Sequence, residues 1–293
     1  MEHLSGFVSI MGSPNVGKST LMNALVGEKV AIVTQKAQTT RNKVVGILTK
    51  PEYQIVFLDT PGLHTPHNKL GEYMVKTAYD ANRDVDLTIM VIDGLVGILQ
   101  RDSEIVQKLN SDRFLVLINK IDAVKPEKVQ LLMDKLIALG VKETAICSAS
   151  AKEGWGLPEL ERKIVTYLRP GPQYYPPDMV TDRPERFLAS ELIREKALLC
   201  LREEIPHGVG VEIEKVEEAG AITNVSAVLY CERDSHKGII IGKGGSMLKQ
   251  IGSEARKDLE MLFGTKVFLQ LFVKVKEDWR NSAFMLKTLG YRD

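Results

Sequence analysis

The apolar residues of the chain fall in short runs separated by helical periodicities. Runs at 7–11, 54–58, 87–92, 114–118 and 144–147 alternate with 3.6-residue patterns near 18–27, 69–81, 101–110, 127–139 and 157–168. Short buried runs alternating with amphipathic helices predict an α/β fold over residues 1–171, a mostly parallel sheet with helices on both faces. One pair departs from this rhythm. The runs at 43–49 and 53–58 are separated only by Lys50-Pro51-Glu52, too few residues for a parallel crossover, so they predict an antiparallel hairpin. Four prolines from Arg169 to Pro177 then forbid helix and ladder alike, and residues 172–182 read as a semi-rigid, proline-rich linker. From 183 to 293 the grammar changes. A helix at about 184–204 precedes strands at 209–216 and 222–231 and a short helix. A glycine turn at 242–245, a helix at about 246–262, a strand at 266–275 and a last helix follow. The order α-β-β-α-α-β is that of an independent α+β domain.

Composition narrows the partners. With 293 residues the chain has room for two cores. Lys and Arg number 39 against 38 Asp and Glu, so any nucleic-acid partner must be met by a local patch. Cys147, Cys200 and Cys231 form no C-x-x-C pair, which argues against a disulfide framework or a zinc site and for reduced thiols in the cytosol. The first residues enter a strand without a basic leader and apolar core, and no apolar run approaches the ~18 residues of a bilayer span. A cytosolic protein is expected.

The chemistry begins at Gly12-Ser13-Pro14-Asn15-Val16-Gly17-Lys18-Ser19, between an apolar strand and a helix start. In that setting G-x-x-x-x-G-K-[ST] is a phosphate cradle. Loop amides and a helix N-terminus face the anion, Lys18 reaches the β- and γ-phosphates, and the Ser19 hydroxyl can ligate Mg²⁺. Asp59-Thr60-Pro61-Gly62 closes another strand, where the aspartate can hold Mg²⁺ through water and the Gly62 amide can sense the γ-phosphate. Asn119-Lys120-Ile121-Asp122 closes a third. A carboxylate there accepts from the N1–H and 2-amino groups of guanine, donors that adenine lacks. Ser148-Ala149-Ser150 closes the next and can present backbone N–H groups to the base oxygen.

In this order, the motifs of roughly the first 170 residues resemble the GTP-binding domain of the translation-factor-like GTPases. The resemblance implies a P-loop GTPase domain that uses GTP and Mg²⁺. Gly12, Asn15, Val16, Gly17, Lys18, Ser19 and Thr20 would hold the phosphates, and Asn119, Lys120, Asp122 and the 148–150 turn the base. Ser19, Thr40 and, through water, Asp59 would hold Mg²⁺, and Lys18, Thr40 and Gly62 would carry catalysis. Thr39 competes with Thr40, because the doubled threonine in Gln38-Thr39-Thr40-Arg41 leaves the register open. Where Ras-like GTPases place a water-orienting glutamine after the glycine, this chain has Leu63, which implies slow intrinsic hydrolysis. In some members of the branch that shares this substitution, the asparagine matching Asn15 helps hold K⁺, so K⁺ joins the expected cofactors. His64 and His67 read as exposed loop residues rather than bases.

In the second domain, Gly242-Lys243-Gly244-Gly245 follows Ile239-Ile240-Ile241 and precedes an amphipathic helix. Glycines at a G-x-x-G turn let a nucleic-acid backbone approach, and Lys237, Lys243 and Lys249 supply local charge. With the α-β-β-α-α-β order, these residues resemble a type II KH domain, which implies binding of single-stranded RNA through Lys237, Gly242, Lys243, Gly244, Gly245 and Lys249. A GTPase domain joined to a C-terminal KH domain, with Thr181-Asp182-Arg183-Pro184-Glu185-Arg186-Phe187 between them, resembles the Era family of bacterial GTPases over essentially the whole chain. That resemblance implies assembly of the 30S ribosomal subunit, binding near the 3′ end of 16S rRNA and peripheral inner-membrane contact; a monomer is expected. Three other readings stand beside it: a GTP-regulated chaperone of tRNA or mRNA, a constitutive RNA chaperone with structural nucleotide, and a small-metabolite kinase, which Asn119–Asp122 argues against.

Overall fold

Strands buried on both sides organise the first half of the protein, here a computed structural model that describes every residue except Met1, Ala37, His64, Arg83, Asn110, Arg292 and Asp293. Its elements are β1 (Leu4–Met11), α1 (Lys18–Val26), β2 (Val44–Lys50), β3 (Tyr53–Asp59), α2 (Lys69–Asp80), β4 (Leu87–Asp93) and α3 (Gln100–Leu109). There follow β5 (Phe114–Asn119), α4 (Pro126–Ala138), β6 (Ile146–Ser148), α5 (Leu157–Val165) and the two-residue β7 (Arg169–Pro170). The sheet order is β2-β3-β1-β4-β5-β6, parallel apart from the β2–β3 hairpin and β7, which pairs antiparallel with β1. Alternate strand residues feed opposite cores. Val8, Ile10, Ile89, Val91, Leu115 and Leu117 pack with Leu21 and Met22 of α1 and Leu160 and Ile164 of α5. Met11, Met90, Ile92, Val116 and Ile118 pack with Val106 of α3 and Leu132 and Leu136 of α4 on the other side. The two-residue side-chain period of a strand therefore explains why these runs are apolar throughout.

The proline-rich stretch departs from expectation. Arg169 and Pro170 do form a ladder, paired with Ser5 and Leu4. Pairing of β1 with β4 begins only at Val8, so the start of β1 has an open edge there, and Gly171, not the proline, supplies an N–H, to His3 O at 3.0 Å. Residues further on are also tied down. Gln54 Oε1 accepts from Tyr174 N at 2.8 Å and Tyr175 N at 3.0 Å, the Tyr174 ring lies 5.0 Å from Phe7, and Ile47 N donates to Val180 O.

Two compact units result: residues 1–31, 40–65 and 74–182, and residues 32–39, 66–73 and 183–293. The second unit holds α6 (Glu185–Cys200), β8 (Gly210–Ala219), β9 (Ile222–Cys231), α7 (Asp234–Ile241), α8 (Ser246–Phe263), β10 (Lys266–Val275) and α9 (Ala283–Thr288). Its sheet runs β10-β9-β8, with β10 parallel and β8 antiparallel to β9. Ala189, Ile193 and Ala197 of α6 and Ile251, Ala255 and Leu259 of α8 pack on Val211, Ile213, Val225, Ala227 and Leu229. The first helix stops at Cys200, short of the expected 204, and residues 205–208 form a tighter turn begun by Ile205-Pro206. In this unit the 32–39 segment lies along α6. Glu195 Oε1 accepts from Val33 N at 2.9 Å, Lys36 Nζ donates to Leu201 O at 2.9 Å, and Arg194 donates to Thr39 O.

Candidate nucleotide and RNA sites

Four of the nucleotide motifs lie at the carboxyl ends of strands, β1, β3, β5 and β6, and Thr40 lies in the loop before β2. β1 has β3 on one side and β4 on the other, the topological switch point at which open α/β sheets bind ligands. Gly17 begins α1 with φ 98°, and a Cβ there would sit 2.4 Å from Asn119 Nδ2, so only glycine lets the phosphate loop close on the 119–122 motif.

Lys18 is 6% exposed and donates to Gly12 O at 3.1 Å and Ser13 O at 3.0 Å. Burial lowers its pKa from 10.5 to about 8, against the opposing pull of the Asp59 and Asp102 carboxylates. A phosphate in the loop would restore the charge. Between about 8 and 10.5 the unfolded chain holds the extra proton, so this group makes the nucleotide-free fold more stable as pH rises through that window. Nucleotide binding has the opposite dependence. Affinity for a non-hydrolysable GTP analogue should be level below a bend near about pH 8 and fall above it, as titration from about pH 7 to about pH 9 will show.

The three oxygens expected at a metal converge. Ser19 Oγ lies 2.5 Å from Asp59 Oδ2 and 2.9 Å from Thr40 Oγ1, and Thr40 Oγ1 lies 3.4 Å from Asp59 Oδ2. Asp59 is fully buried, its pKa is raised by desolvation, and its Oδ1 has no hydrogen-bond partner among the described residues. A buried carboxylate with an orphan oxygen beside two hydroxyls fits a hard divalent cation. Thr39 is engaged elsewhere: its hydroxyl meets Thr34 Oγ1 at 2.7 Å and Lys36 O at 2.6 Å, which leaves Thr40 as the threonine at this cluster. Gly62 packs on the phosphate loop, where a Cβ would come within 2.9 Å of Pro14 Cα. Leu63 turns its side chain into the core with Met11, Met90 and Ile92, so nothing at that position faces a substrate water. His67 is exposed, and His64 lies outside the described residues.

The residues expected at the base are held by internal hydrogen bonds. Asn119 spans two loops: its Nδ2 donates to Val16 O at 2.9 Å and its Oδ1 accepts from Ala151 N at 3.0 Å. It ties the phosphate loop to the turn after β6. The N–H groups expected to face the base oxygen are used internally, Ala149 N by Ile118 O and Ser150 N by Trp155 O, each at 2.9 Å. Ser148 sits in β6, paired with Ile118. This turn closes on its own strand and helix, so a base oxygen would have to share donors already bonded. Thr20 lies within the first turn of α1, and exposed Asn15 has φ 64°. Lys120 Nζ bridges Asn15 O at 2.7 Å and Asp93 Oδ2 at 2.6 Å, joining the 119–122 motif to the phosphate loop. Asp93 was not singled out from sequence; its place at the carboxyl end of β4 is the signal that could have found it.

In the second unit, Gly242–Gly245 links α7 to α8 as a short turn with φ 74° at Gly242, 61° at Gly244 and 82° at Gly245. Cβ atoms built at Gly244 and Gly245 meet nothing within 4 Å, so the turn presents bare backbone to an approaching chain. Lys243 and Lys249 are exposed and Lys237 half-buried, beside Ile239, which is 50% exposed. Cations, an apolar side chain and open backbone are the combination that single-stranded nucleic acid uses.

Comparison with known proteins agrees with both halves. Residues 7–120 match the family described as 50S ribosome-binding GTPase, and residues 204–280 match the KH domain. GTPase Era of Clostridioides difficile is 51% identical, over 99% of each chain, and that of Alkaliphilus oremlandii 50% identical, over 99% of this chain and all of the relative. Among solved structures, Era in complex with MgGDPNP and nucleotides 1506–1542 of 16S ribosomal RNA is 41% identical, with a TM-score of 0.94 over 99% of this chain and 100% of the other. A variant Era from Aquifex aeolicus bound to GDP·AlF4⁻ is 40% identical, with the same score over 100% of both. A P-loop GTPase domain followed by a KH domain, matched along the entire length at half identity, places this chain in the Era family of GTPases.

Proposed function

We propose that the protein is a GTP·Mg²⁺-dependent switch that binds single-stranded RNA near the 3′ end of 16S rRNA and acts in assembly of the 30S ribosomal subunit. The observation that carries the GTP half is the convergence of Ser19, Thr40 and the orphan oxygen of Asp59 beside Lys18. Ser19, Thr40 and Asp59 would hold Mg²⁺ there, whose positive charge would offset that of the phosphates. Lys18 would grip the β- and γ-phosphates, the Gly62 amide would meet the γ-phosphate, and Asp122 would read the guanine edge. The RNA half rests on the open Gly242–Gly245 turn with Lys237, Lys243 and Lys249, and on the bound rRNA segment of the 41% identical Era. In the same reading the protein works as a monomer in the cytosol, with peripheral contact at the inner membrane, and K⁺ is held near Asn15.

Binding of a single-stranded oligonucleotide copying the 3′ end of 16S rRNA tests it. Affinity should be higher with the non-hydrolysable GTP analogue than with GDP, by severalfold or more, and a scrambled oligonucleotide should bind more weakly. Equal affinity in both nucleotide states would remove the switch. Equal affinity for the scrambled sequence would favour a chaperone of other RNAs.

A further inference from the structure

Two neighbouring residues at the start of α3 touch both loops that face the phosphates. Asp102 is 1% exposed and stands at the third position of the helix, where its Oδ2 accepts from Leu99 N at 3.0 Å. That bond is ordinary capping of the helix start. Its other oxygen leaves the helix and accepts from Ser13 Oγ at 2.8 Å, 89 residues away in sequence. Ser13 O in turn receives Lys18 Nζ, so the residue that Asp102 grips is one that seats the phosphate-binding lysine. Arg101, one position earlier, donates from Nη1 to Leu63 O at 2.6 Å. Leu63 N reaches Gly12 O at 3.4 Å and the Leu63 side chain is buried, so the residue after Gly62 is held at its amide, its side chain and its carbonyl. Adjacent residues on a helix point about 100° apart, which lets one turn reach two loops.

We propose that Asp102 and Arg101 are positioning residues for the GTPase reaction, Asp102 fixing the phosphate loop through Ser13, and Arg101 fixing the segment that carries Gly62. A cap alone would need only Oδ2 of Asp102 and nothing from Arg101. The proposal rests on the assignments of Lys18 and Gly62 above.

The consequences separate by nucleotide. The phosphate loop serves GDP and GTP alike, whereas Gly62 matters only when a γ-phosphate is present. Asp102→Asn keeps the side-chain size, but it turns one of two acceptor oxygens into a donor, so it cannot accept from both Leu99 N and Ser13 Oγ. In the full chain, it should weaken GDP and the GTP analogue together, about tenfold near neutral pH. Arg101→Met should leave GDP affinity unchanged and lower analogue affinity and turnover about fivefold. Thermal melts establish that each variant is folded, and Ser13→Ala, which breaks the same grip from the loop side, replaces Asp102→Asn if that variant is not. A folded Asp102→Asn with the GDP affinity of the parent overturns the first role. Arg101→Met that weakens both nucleotides equally, or neither, overturns the second.

Discussion

Lys18→Met should reduce GTP hydrolysis by about a thousandfold or more, the scale on which preorganised charge at a phosphoryl or acyl centre acts. The ammonium is buried, strung between the carbonyls of Gly12 and Ser13, and held where desolvation lowers its pKa to about 8 until an anion arrives. A lysine seated at such a cost is poised to respond to phosphate, since binding relieves its own desolvation while neutralising the ligand. Methionine fills much of the same volume, so the cores around α1 should survive and the melting temperature of the nucleotide-free variant should stay within a few degrees of the parent. Single-turnover hydrolysis at saturating nucleotide measures the effect. Turnover within about tenfold of the parent would mean that another group holds the γ-phosphate and that the phosphate-loop assignment is wrong.

The paired change Lys243→Asp and Gly244→Asp should abolish RNA binding, by about a hundredfold or more, and leave GTP hydrolysis without RNA unaltered. Gly244 has φ 61° and open space where a Cβ would go, and aspartate tolerates that left-handed region better than most residues, so the turn can keep its shape. What changes is charge. Two carboxylates replace one ammonium and one bare backbone position at the point where a phosphodiester would approach, and repulsion acts before any base is read. Filter binding at two salt concentrations reads both the loss and a shallower salt slope. RNA binding that survives with its salt slope intact would move the nucleic-acid site off this turn.

Much of this was legible in the sequence because its rules are local. A strand, a glycine-bearing turn and a helix occupy contiguous residues at 7–27, so the phosphate loop declares itself in one stretch. The alternation of apolar runs and helices revealed the parallel sheet for the same reason. Three features are non-local and stayed hidden. Nothing near Asp102 says that its second oxygen reaches Ser13, because that contact depends on where α3 begins relative to the phosphate loop. The choice between Thr39 and Thr40 depends on which hydroxyl the loop consumes internally, and Thr34 and Lys36 make that choice only once the segment is folded. Asn119 reads from its motif as a base contact, yet both ends of its amide are claimed by backbone, a matter of three loops meeting. The proline-rich stretch erred in another way. Proline statistics describe long ladders, and a two-residue pairing against an open strand edge needs no N–H from Pro170.

The segment 32–39 belongs to the compact unit built mainly from residues 183–293, although it is separated from them by some 150 positions of chain. Its backbone is held by Glu195 and Arg194, and Lys36 reaches the end of α6. A polypeptide cut after Asp182 would therefore still contain the phosphate loop, Asp59 and Asp122, but Val33, Lys36 and Thr39 would have lost the groups that hold them. Because Thr40 is the next residue along, GTP hydrolysis by such a fragment should differ from that of the full chain, as single-turnover measurements on the two will show. The segment before Thr40 is anchored by residues far outside the stretch of sequence that carries the motifs.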